Sequence, residues 1–333
     1  MSCKIKHISY HLSSNVLTNE DLAKDFPEYS AQEIYKKTGI KQRFVTTRNI
    51  IGSDLAVAAA EQLFRESSFK KENVEFILFC TETPDYIAPA TACLLQSRLR
   101  LKTNIGALDL PSGCSGFTNA LGVGKALIES GQCDNVLLLF GDTPSLTCHP
   151  KDFELRSLFS DAGAAAWLDK SEQEAIGNVV YGADGSGAKN LFVDRSCFRN
   201  PVDEAWLKTH KEAGGMPFGQ LEMNGLNILT FALKEVPKLV NAILEKNNLA
   251  FEQIDLFFFH QASRTILRSI QKKLRIPDEK MAYYIENNGN TISVSIPLAL
   301  KEALKESRIK EGAKVLIAGF GIGFSWSGTV ITY

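Results

Sequence analysis

The feature that most constrains this chain is that its two halves repeat the same order of elements. In the first half, CSGFTNALGVGKALIESGQCDNVLLLFGD reads as a turn, a helix, a polar turn, an apolar strand and a glycine. In the second half, NTISVSIPLALKEALKESRIKEGAKVLIAGFG follows the same order. The spacing is also kept, because Cys114 to Val136 and Ser293 to Val315 are each 22 residues apart. We therefore predict an internal duplication of an α/β unit, with the two copies packed face to face.

Short apolar runs alternate with amphipathic helical patterns, which is typical of α/β folds whose sheets are covered by helices on both faces. We predict strands at residues 74–80, 105–110, 135–141, 164–169, 255–260, 282–285, 314–319 and 328–332. We predict helices at residues 53–67, 90–100, 116–130, 226–246, 263–274 and 294–307. A polar segment fits neither copy, so we divide the chain into a first half at 1–170, an insertion near the active site at 171–215, and a second half at 216–333.

Composition excludes several classes of protein. The formal net charge is −1, so there is no electrostatic basis for binding nucleic acid or an anionic membrane surface. The longest apolar runs, such as VLLLF, are strand-sized and too short for membrane insertion, and the N-terminus lacks the apolar core of a signal peptide. Seven cysteines without CxxC spacing indicate reduced thiols and no metal site, so we expect a cytoplasmic protein.

Cys114 has the most informative setting of the seven cysteines. It lies after an apolar strand and a Pro-Ser-Gly turn, directly before a predicted helix. Free backbone N–H groups and the helix dipole favour a thiolate at that position, and Gly113 and Gly116 allow a substrate to approach the sulfur. A buried, unreactive cysteine is equally compatible with this segment alone.

Two further polar residues lie at turns that the duplication relates to Cys114. His260 ends the apolar run IDLFFFH before a predicted helix, although a buried structural histidine is equally compatible with that position. Asn290 lies in the turn NGN, where an asparagine with no chemical role is the usual interpretation. The duplication changes both interpretations, because it brings the Asn290 turn opposite the Cys114 turn and the end of the His260 strand opposite Cys80. We therefore expect a thiol, an imidazole and a carboxamide to converge between the copies.

A glycine-rich loop, AGFGIGFSWSG at residues 318–328, follows the predicted strand at 314–319. Its spacing does not match GxGxxG before a helix, so it does not indicate a phosphate-binding loop. We predict instead that backbone N–H groups of this loop stabilise an oxyanion.

These motifs, taken in order, resemble those of a known family. They run from TGIKQRFV near residue 38 through PATACLLQSRL, CSGFTNAL, SDAGAAAWL, MNGLNILTFA, HQASRTI and NNGNTISVSIPLAL to GFGIGFSW. The chain resembles the thiolase-like condensing enzymes, and most closely β-ketoacyl-acyl-carrier-protein synthase III. This resemblance implies a thiolase-like, five-layered αβαβα fold, a cytosolic homodimer, and Cys114, His260 and Asn290 as catalytic residues.

The resemblance also implies a reaction. Cys114 takes an acyl group from a thioester of coenzyme A or acyl carrier protein, and no cofactor is bound permanently. A malonyl group on acyl carrier protein then loses carbon dioxide. His260 and Asn290 stabilise the resulting enolate, whose carbon attacks the acyl group on Cys114.

By the same resemblance, the glycine-rich loop completes the reacting centre. Backbone N–H groups of Cys114 and of the loop at residues 321–323, which includes Ile322 and Gly323, hold the oxyanion, and Phe324 packs near the reacting atoms. Ile322 stands where the family commonly has glycine, which disfavours a positive φ there.

Several positions that the family uses for coenzyme A differ in this chain, so we expect a specialised synthase with a longer or carrier-bound acyl donor. Glu33 stands where the family has a tryptophan over the adenine, and Lys37 replaces a neighbouring arginine. Ala88 takes the place of a bulky residue that closes the acyl pocket from across the dimer. The candidate substrate-binding residues are Lys37, Arg156, Asn224, Ser263, Arg264 and Ala88.

Alternative functions on the same scaffold stay open at this point. A thiolase is disfavoured because the glycine-rich loop lacks a second cysteine, and plant-type polyketide synthases are typically longer. A hydroxymethylglutaryl synthase requires a glutamate base, for which Glu82 is a candidate by position. The main alternative is an acyltransferase that forms an ester or amide without decarboxylation. A partner subunit without activity is disfavoured by the intact Cys114, His260 and Asn290. The pathway, whether fatty-acid, specialised lipid or polyketide biosynthesis, is also open.

Overall fold

The computed structural model describes residues 2–47, 49–212 and 219–333. Its strands are β1 (Ser2–Leu12), β2 (Asn15–Thr18), β3 (Gln42–Val45), β4 (Phe76–Thr81), β5 (Gly106–Pro111), β6 (Asn135–Asp142), β7 (Ala162–Ser171), β8 (Val180–Ala183), β9 (Leu191–Val193), β10 (Leu221–Met223), β11 (Leu256–Phe259), β12 (Lys314–Gly321) and β13 (Ser325–Thr332). Its α-helices are α1 (Asn19–Asp25), α2 (Ala31–Thr38), α3 (Gly52–Glu66), α4 (Thr91–Arg98), α5 (Gly116–Glu129), α6 (Phe153–Arg156), α7 (Glu204–Glu212), α8 (Gly225–Lys246), α9 (Arg264–Leu274), α10 (Ile285–Asn288) and α11 (Ser295–Lys305). The six predicted helices correspond to α3, α4, α5, α8, α9 and α11.

The two main sheets have the same strand order, which confirms the predicted duplication. The first sheet is ordered β1-β7-β6-β4-β5, with β4 parallel to β5 and β6, and with β7 antiparallel to both β1 and β6. The second sheet contains β8-β13-β12-β11 with the corresponding directions. In place of a fifth strand, Met281 forms a single parallel bridge with Phe257 of β11.

The predicted strand at 282–285 is therefore wrong. The backbone groups that would extend this strand bond instead to the side chain of Gln261. Its Oε1 accepts from the N–H of Tyr284 at 2.8 Å, and its Nε2 donates to the carbonyl of Ala282 at 3.4 Å. A side chain thus replaces the sheet ladder, and the chain turns directly into α10.

The second sheet also corrects the interpretation of the segment 171–215. We predicted that this segment fits neither copy, but β8 lies within it and pairs with β13 as the edge strand of the second sheet. The second copy therefore begins before residue 216. The short β8 was missed because four residues between polar turns carry little periodic signal.

Alternate residues of the strands face different layers, which produces the five-layered arrangement. In β4, Leu78 and Cys80 face a central core, while Ile77 and Phe79 face an outer core with α3 and α4. In β11, Phe258 faces the central core, and its neighbours in the strand face an outer core with α8 and α9. Helices α5 and α11 form the central layer between the two sheets. The order is helix, sheet, helix, sheet, helix.

This arrangement brings the ends of corresponding strands together. Helix α5 begins after β5, and α9 begins after β11, so both turns lie at the carboxyl ends of parallel strands. Open sheets hold their reactive groups at that edge. Within the described ranges, no helix combines the length and the apolar character that crossing a bilayer requires.

Candidate active site

Cys114 lies in the short turn between β5 and α5. Its side chain is buried, and the first turn of α5 carries no side-chain cap. The backbone at Ile322 and at Cys114 itself lowers the pKa of the thiol. Main-chain groups near the sulfur are of the kind that stabilises a developing oxyanion.

The end of β12 packs directly on Cys114. A Cβ at Gly321 would lie 2.7 Å from Cys114 Sγ, and a Cβ at Gly319 would lie 2.8 Å from the carbonyl oxygen of Cys114. Both distances are too short for any side chain, so glycine is required at both positions. The second half of the chain thus supplies one wall of the site around Cys114, the candidate nucleophile of the first half.

The environment of Cys114 does not favour a free thiolate. Burial is the main cause that raises the pKa of the thiol, and the charge of Glu82 raises the pKa further. The two backbone hydrogen bonds act in the opposite direction but are outweighed. The backbone groups of this turn favour the thiolate, as expected, but desolvation of the buried charge has the larger effect, so the pKa of the thiol is raised.

His260 directly follows β11 and is only 1% exposed. Its Nδ1 lies 2.7 Å from Oγ of Ser295, the first residue of α11, and this contact orients the ring. Burial lowers the pKa of His260 to about 3, although a backbone hydrogen bond with Ile292 acts in the opposite direction. The imidazole is therefore neutral at physiological pH and can donate a hydrogen bond without carrying a charge.

Asn290 lies in the turn between α10 and α11 and is 4% exposed. Its Nδ2 donates to the carbonyl of Ala262 at 3.1 Å, and its Oδ1 accepts from the N–H of Ile292 at 3.0 Å. Ile292 has a φ of 50°, an uncommon conformation for a β-branched residue, so the turn is held under local strain. Among the described contacts, one of the two amide N–H donors is used, and the other is available to a bound oxygen.

Cys114, His260 and Asn290 line one cavity of about 750 Å³. Cys114 comes from the first half of the chain, and His260 and Asn290 come from the second half. The cavity reaches the surface past Tyr29 and Phe153. A thiol, an imidazole and a carboxamide therefore face a shared space that is large enough for an extended acyl thioester.

Comparison with known proteins identifies the family of the chain. The model of 3-oxoacyl-[acyl-carrier-protein] synthase III matches residues 108–185, and the model of its C-terminal part matches residues 244–333. A β-ketoacyl-[acyl-carrier-protein] synthase III of Clostridium perfringens is 33% identical over 331 residues, which is 99% of each chain. The chain belongs to the 3-oxoacyl-[acyl-carrier-protein] synthase III family.

Solved structures agree with this assignment. One crystal structure of a 3-oxoacyl-(acyl-carrier-protein) synthase III is 38% identical, with a TM-score of 0.95 and 100% of each chain covered. A synthase III of Thermus thermophilus is 34% identical, with a TM-score of 0.88, and covers 99% of this chain and 98% of its own. The predicted thiolase-like fold is confirmed, as is the enzyme class, an acyl-transferring condensing enzyme. The predicted substrates, thioesters of coenzyme A or acyl carrier protein, are those of the family.

Within the predicted loop 321–323, Gly321 is the residue that packs on Cys114 in this synthase. Gly321 and Phe320 line the cavity, whereas Ile322, Gly323 and Phe324 are not among its lining residues. The backbone of Ile322 lowers the pKa of Cys114, and Ile322 has no positive φ. Phe324 is buried and stacks on Phe231 with ring centroids 4.0 Å apart, so it supports the loop from behind.

Two of the candidate substrate-binding residues line the cavity. Lys37 lies at the entrance, with its Nζ 4.1 Å from the centre of the Tyr29 ring. Ser263 lines the cavity and also caps α9, because its Oγ accepts from the N–H of Ile266 at 3.2 Å.

Arg156 and Asn224 are not among the lining residues of the cavity. Arg156 pairs with Asp25 at 2.7 Å and donates to the carbonyl of Pro150 at 2.7 Å, so its guanidinium is held outside the cavity. Asn224 caps α8, since its Oδ1 accepts from the N–H of Asn227 at 3.1 Å. Both side chains are engaged in local contacts that sequence spacing does not reveal.

Arg264 and Ala88 are also not among its lining residues. Arg264 is exposed, packs its aliphatic part against Gly39 and places its guanidinium 5.4 Å from the centre of the Tyr35 ring. Ala88 is exposed on the loop between β4 and α4, and it precedes Pro89 through a cis peptide bond. Its assignment to a pocket across the dimer stays a prediction.

The structure adds residues that the sequence analysis did not select. Ser295 orients His260, and Tyr29 stacks on Phe153 at the entrance, with ring centroids 4.1 Å apart. The two glycines of AGFG, Gly319 and Gly321, were a sequence signal for close backbone packing at the end of β12. No sequence signal marked Ser295, because its role depends on where α11 meets β11.

We predict that the His260 imidazole stays neutral between pH 5 and pH 8. Its pKa of about 3 lies below this range, so no protonation step falls within it. Nitrogen-15 NMR of the histidine rings measures this directly, and the variant His260→Gln identifies the resonance. A titration midpoint near 6.5, the ordinary value for histidine, would contradict the prediction.

Proposed function

We propose that Cys114 carries the acyl group of this synthase and that His260 and Asn290 stabilise the enolate of the second substrate. The observation that supports the proposal most strongly is that these three side chains line one cavity. A thioester donor enters, Cys114 attacks its carbonyl, and the donor thiol leaves. The N–H groups of Cys114 and Ile322, which lower the pKa of the thiol, are suited to hold the oxyanion of this step.

The second half of the proposed reaction forms the carbon–carbon bond. A malonyl group on acyl carrier protein loses carbon dioxide, and the electron pair of the broken bond becomes an enolate. The neutral His260 ring and the free N–H of Asn290 donate to the enolate oxygen. The enolate carbon attacks the acyl group on Cys114 and releases the sulfur. Uncharged donors suit this step, because they stabilise the negative charge of the enolate oxygen through hydrogen bonds without forming an ion pair with it.

We expect single substitutions to distinguish the acylation half-reaction from the condensation half-reaction. Cys114→Ala removes the nucleophile and abolishes acyl-enzyme formation, which intact-protein mass spectrometry measures. His260→Ala and Asn290→Ala keep acylation but lower carbon dioxide release from labelled malonyl carrier protein by about 10²-fold or more, because an oxyanion donor is lost. Cys93→Ala and His11→Ala are matched controls away from the cavity and keep wild-type rates.

The same assay separates condensation from simple acyl transfer. Carbon dioxide release coupled to product formation supports condensation. Acyl transfer to an alcohol or amine without carbon dioxide release would contradict it and would favour the alternative acyltransferase.

We further propose that the acyl donor is carrier-bound or longer than acetyl. At the entrance, the Tyr29 and Phe153 rings already stack on each other, and Lys37 covers Tyr29. Glu33 accepts from the backbone N–H of Ser30 at 2.8 Å in a capping box of α2, and Arg156 is paired away from the cavity. Because these side chains are already engaged with each other, few of them are free to bind the adenine ring or the phosphates of coenzyme A. A carrier-bound donor presents its thioester on a long arm and requires no adenine site.

We expect carrier-bound or medium-chain thioesters to acylate Cys114 with a kcat/KM about tenfold or more above that of acetyl-coenzyme A, a difference of about 1.4 kcal/mol. The measurement is the rate of acyl-enzyme formation across a series of chain lengths, each as a coenzyme A and as a carrier thioester. A strict preference for acetyl-coenzyme A would contradict the proposal.

We also propose that the enzyme is a homodimer that pairs through β5. This strand is the edge of the first sheet, and its Leu108 is 51% exposed. The neighbouring loop exposes Tyr86 and Ile87, and the start of α4 bonds to Asp109 of β5. An unpaired edge beside exposed apolar side chains is suited to a self-complementary interface with a second copy. The seven cysteines form no disulfides, which supports placing this dimer in the cytoplasm.

We expect Leu108→Asp to convert the protein to a monomer, because the charge disrupts the paired edge. Light scattering after size-exclusion chromatography measures the mass. Phe198→Asp changes another exposed aromatic residue and leaves the dimer intact. A wild-type protein that is monomeric at micromolar concentration would exclude the proposed interface.

A further inference from the structure

Glu82 places a carboxyl group beside the nucleophile, and the mechanism above does not use it. Glu82 directly follows β4, and its carboxyl atoms occupy the space where a side chain on Gly113 would lie. Gly113 is the residue before Cys114. The charge of Glu82 acts on the thiol strongly enough to raise the pKa of Cys114. The carboxyl therefore packs against the turn that holds Cys114.

The neighbouring carboxyl of Asp142 is bound very differently. Asp142 accepts hydrogen bonds from the N–H of Glu82 at 2.8 Å, from Thr81 Oγ1 at 3.2 Å, and from both the N–H and the hydroxyl of Ser293. These donors stabilise its ionised form. The Glu82 carboxyl accepts no hydrogen bond from any described residue and is free to exchange a proton.

Burial raises the pKa of Asp142 as well, but its hydrogen bonds act in the opposite direction, whereas no hydrogen bond lowers the pKa of Glu82. Loss of solvation and then the charge of Asp142 raise the pKa of Glu82 to about 8. The titratable groups that face it are Asp142, Cys80 and Cys114, and no described lysine or arginine offsets the two carboxyls. A base whose pKa lies near the working pH is the most effective for proton transfer.

Among the described residues, the charged groups that act on the Cys114 thiol are Glu82 and Asp142, and Asp142 is already engaged by hydrogen bonds. Burial makes the thiol difficult to ionise by itself, and the low pKa of His260 makes its ring a very weak base. A buried thiol that attacks a thioester must lose its proton during the attack. Glu82 is the adjacent group that can accept it.

We propose that the Glu82 carboxylate accepts the proton of the Cys114 thiol during acylation. The S–H bond breaks as the sulfur–carbon bond to the acyl group forms, and the proton moves to Glu82 directly or through one water molecule. The carbon–sulfur bond of the donor then breaks, and the departing thiolate takes the proton from Glu82. The carboxylate is restored, and no oxidant or further reactant is required. This inference rests on the proposed acylation of Cys114.

The reaction of Cys114 with iodoacetamide between pH 6 and pH 10 tests the proposal. It is followed by mass spectrometry on the peptide that contains Cys114. In the wild type, the rate is expected to rise through an inflection near pH 8, where Glu82 loses its proton. In Glu82→Gln, the inflection is expected to disappear, and the rate at pH 8 to fall by about 10²-fold. The rate of acylation by the thioester donor is expected to fall in parallel.

A purely electrostatic role of Glu82 gives the opposite result. The charge of Glu82 raises the pKa of Cys114, so removing it without removing a base makes the thiolate easier to form. Faster alkylation in Glu82→Gln would therefore overturn the proposal, as would an unchanged rate. Glu82→Asp keeps the charge but withdraws the carboxyl by one methylene, so it is expected to keep the inflection at an intermediate rate.

Two controls distinguish a failure of the proposed role of Glu82 from a failure of the proposed function. Asp85→Asn changes a second carboxyl on the same loop, one that accepts from Ser53 Oγ at 2.8 Å, and is expected to keep the wild-type alkylation profile. Thermal unfolding checks that the isosteric Gln variant is folded. If Cys114→Ala blocks acylation while Glu82→Gln acylates at the wild-type rate, only the role of Glu82 fails. If the wild type forms no acyl-enzyme on Cys114, the proposed function fails first.

Discussion

The site depends on the contact between the N-terminus of α5 and the strands β12 and β13 of the other half. Ser115 and Ser325 share a hydrogen bond of 2.7 Å between their hydroxyl groups, and Thr118 and Ser327 share one of 2.5 Å. Gly321 at the end of β12 then meets the Cys114 sulfur with no side chain between them. These contacts join the two copies of the duplicated unit at the point where the nucleophile lies. Because they are buried and polar, they specify one register between the halves.

The electrostatic character of the site follows from this burial. Burial lowers the pKa of His260 and raises the pKa of Cys114 and of Asp142, and hydrogen bonds from Thr81 and Ser293 oppose this effect at Asp142. The cavity therefore offers a developing negative charge several uncharged donors. Such donors are already oriented in the folded protein, so little reorganisation is needed when the charge appears. A dry site of this kind also requires a local route for protons, which the carboxyl of Glu82 is placed to supply.

The sequence predicted the elements with strong periodicity and missed those that depend on partners. Helix α5 was predicted at 116–130 and spans Gly116–Glu129, because its apolar face repeats at helical spacing. The apolar segment at 282–285 was predicted as a strand, but the side chain of Gln261 takes its backbone hydrogen bonds. Arg156 was a reasonable candidate for phosphate contact until Asp25 was seen beside it. Pairing between distant residues has no local pattern, so spacing along the chain did not reveal it.

By itself the sequence determined the duplicated α/β architecture and the three residues that converge, because turns at strand ends and helix starts are encoded locally and the repeat relates them. The tertiary structure alone decided how those residues behave. Burial sets the protonation of Cys114 and His260. The end of β12 places Gly321, rather than Ile322, against the Cys114 sulfur. The tertiary structure also decided which residue is the proposed proton-transfer partner of Cys114. Glu82 precedes Cys114 by 32 residues in the chain, and the parallel pairing of β4 with β5 brings the ends of the two strands together. The solvation of a side chain and its distance from other side chains are set only when the chain is packed, so they cannot be read from the residues before folding.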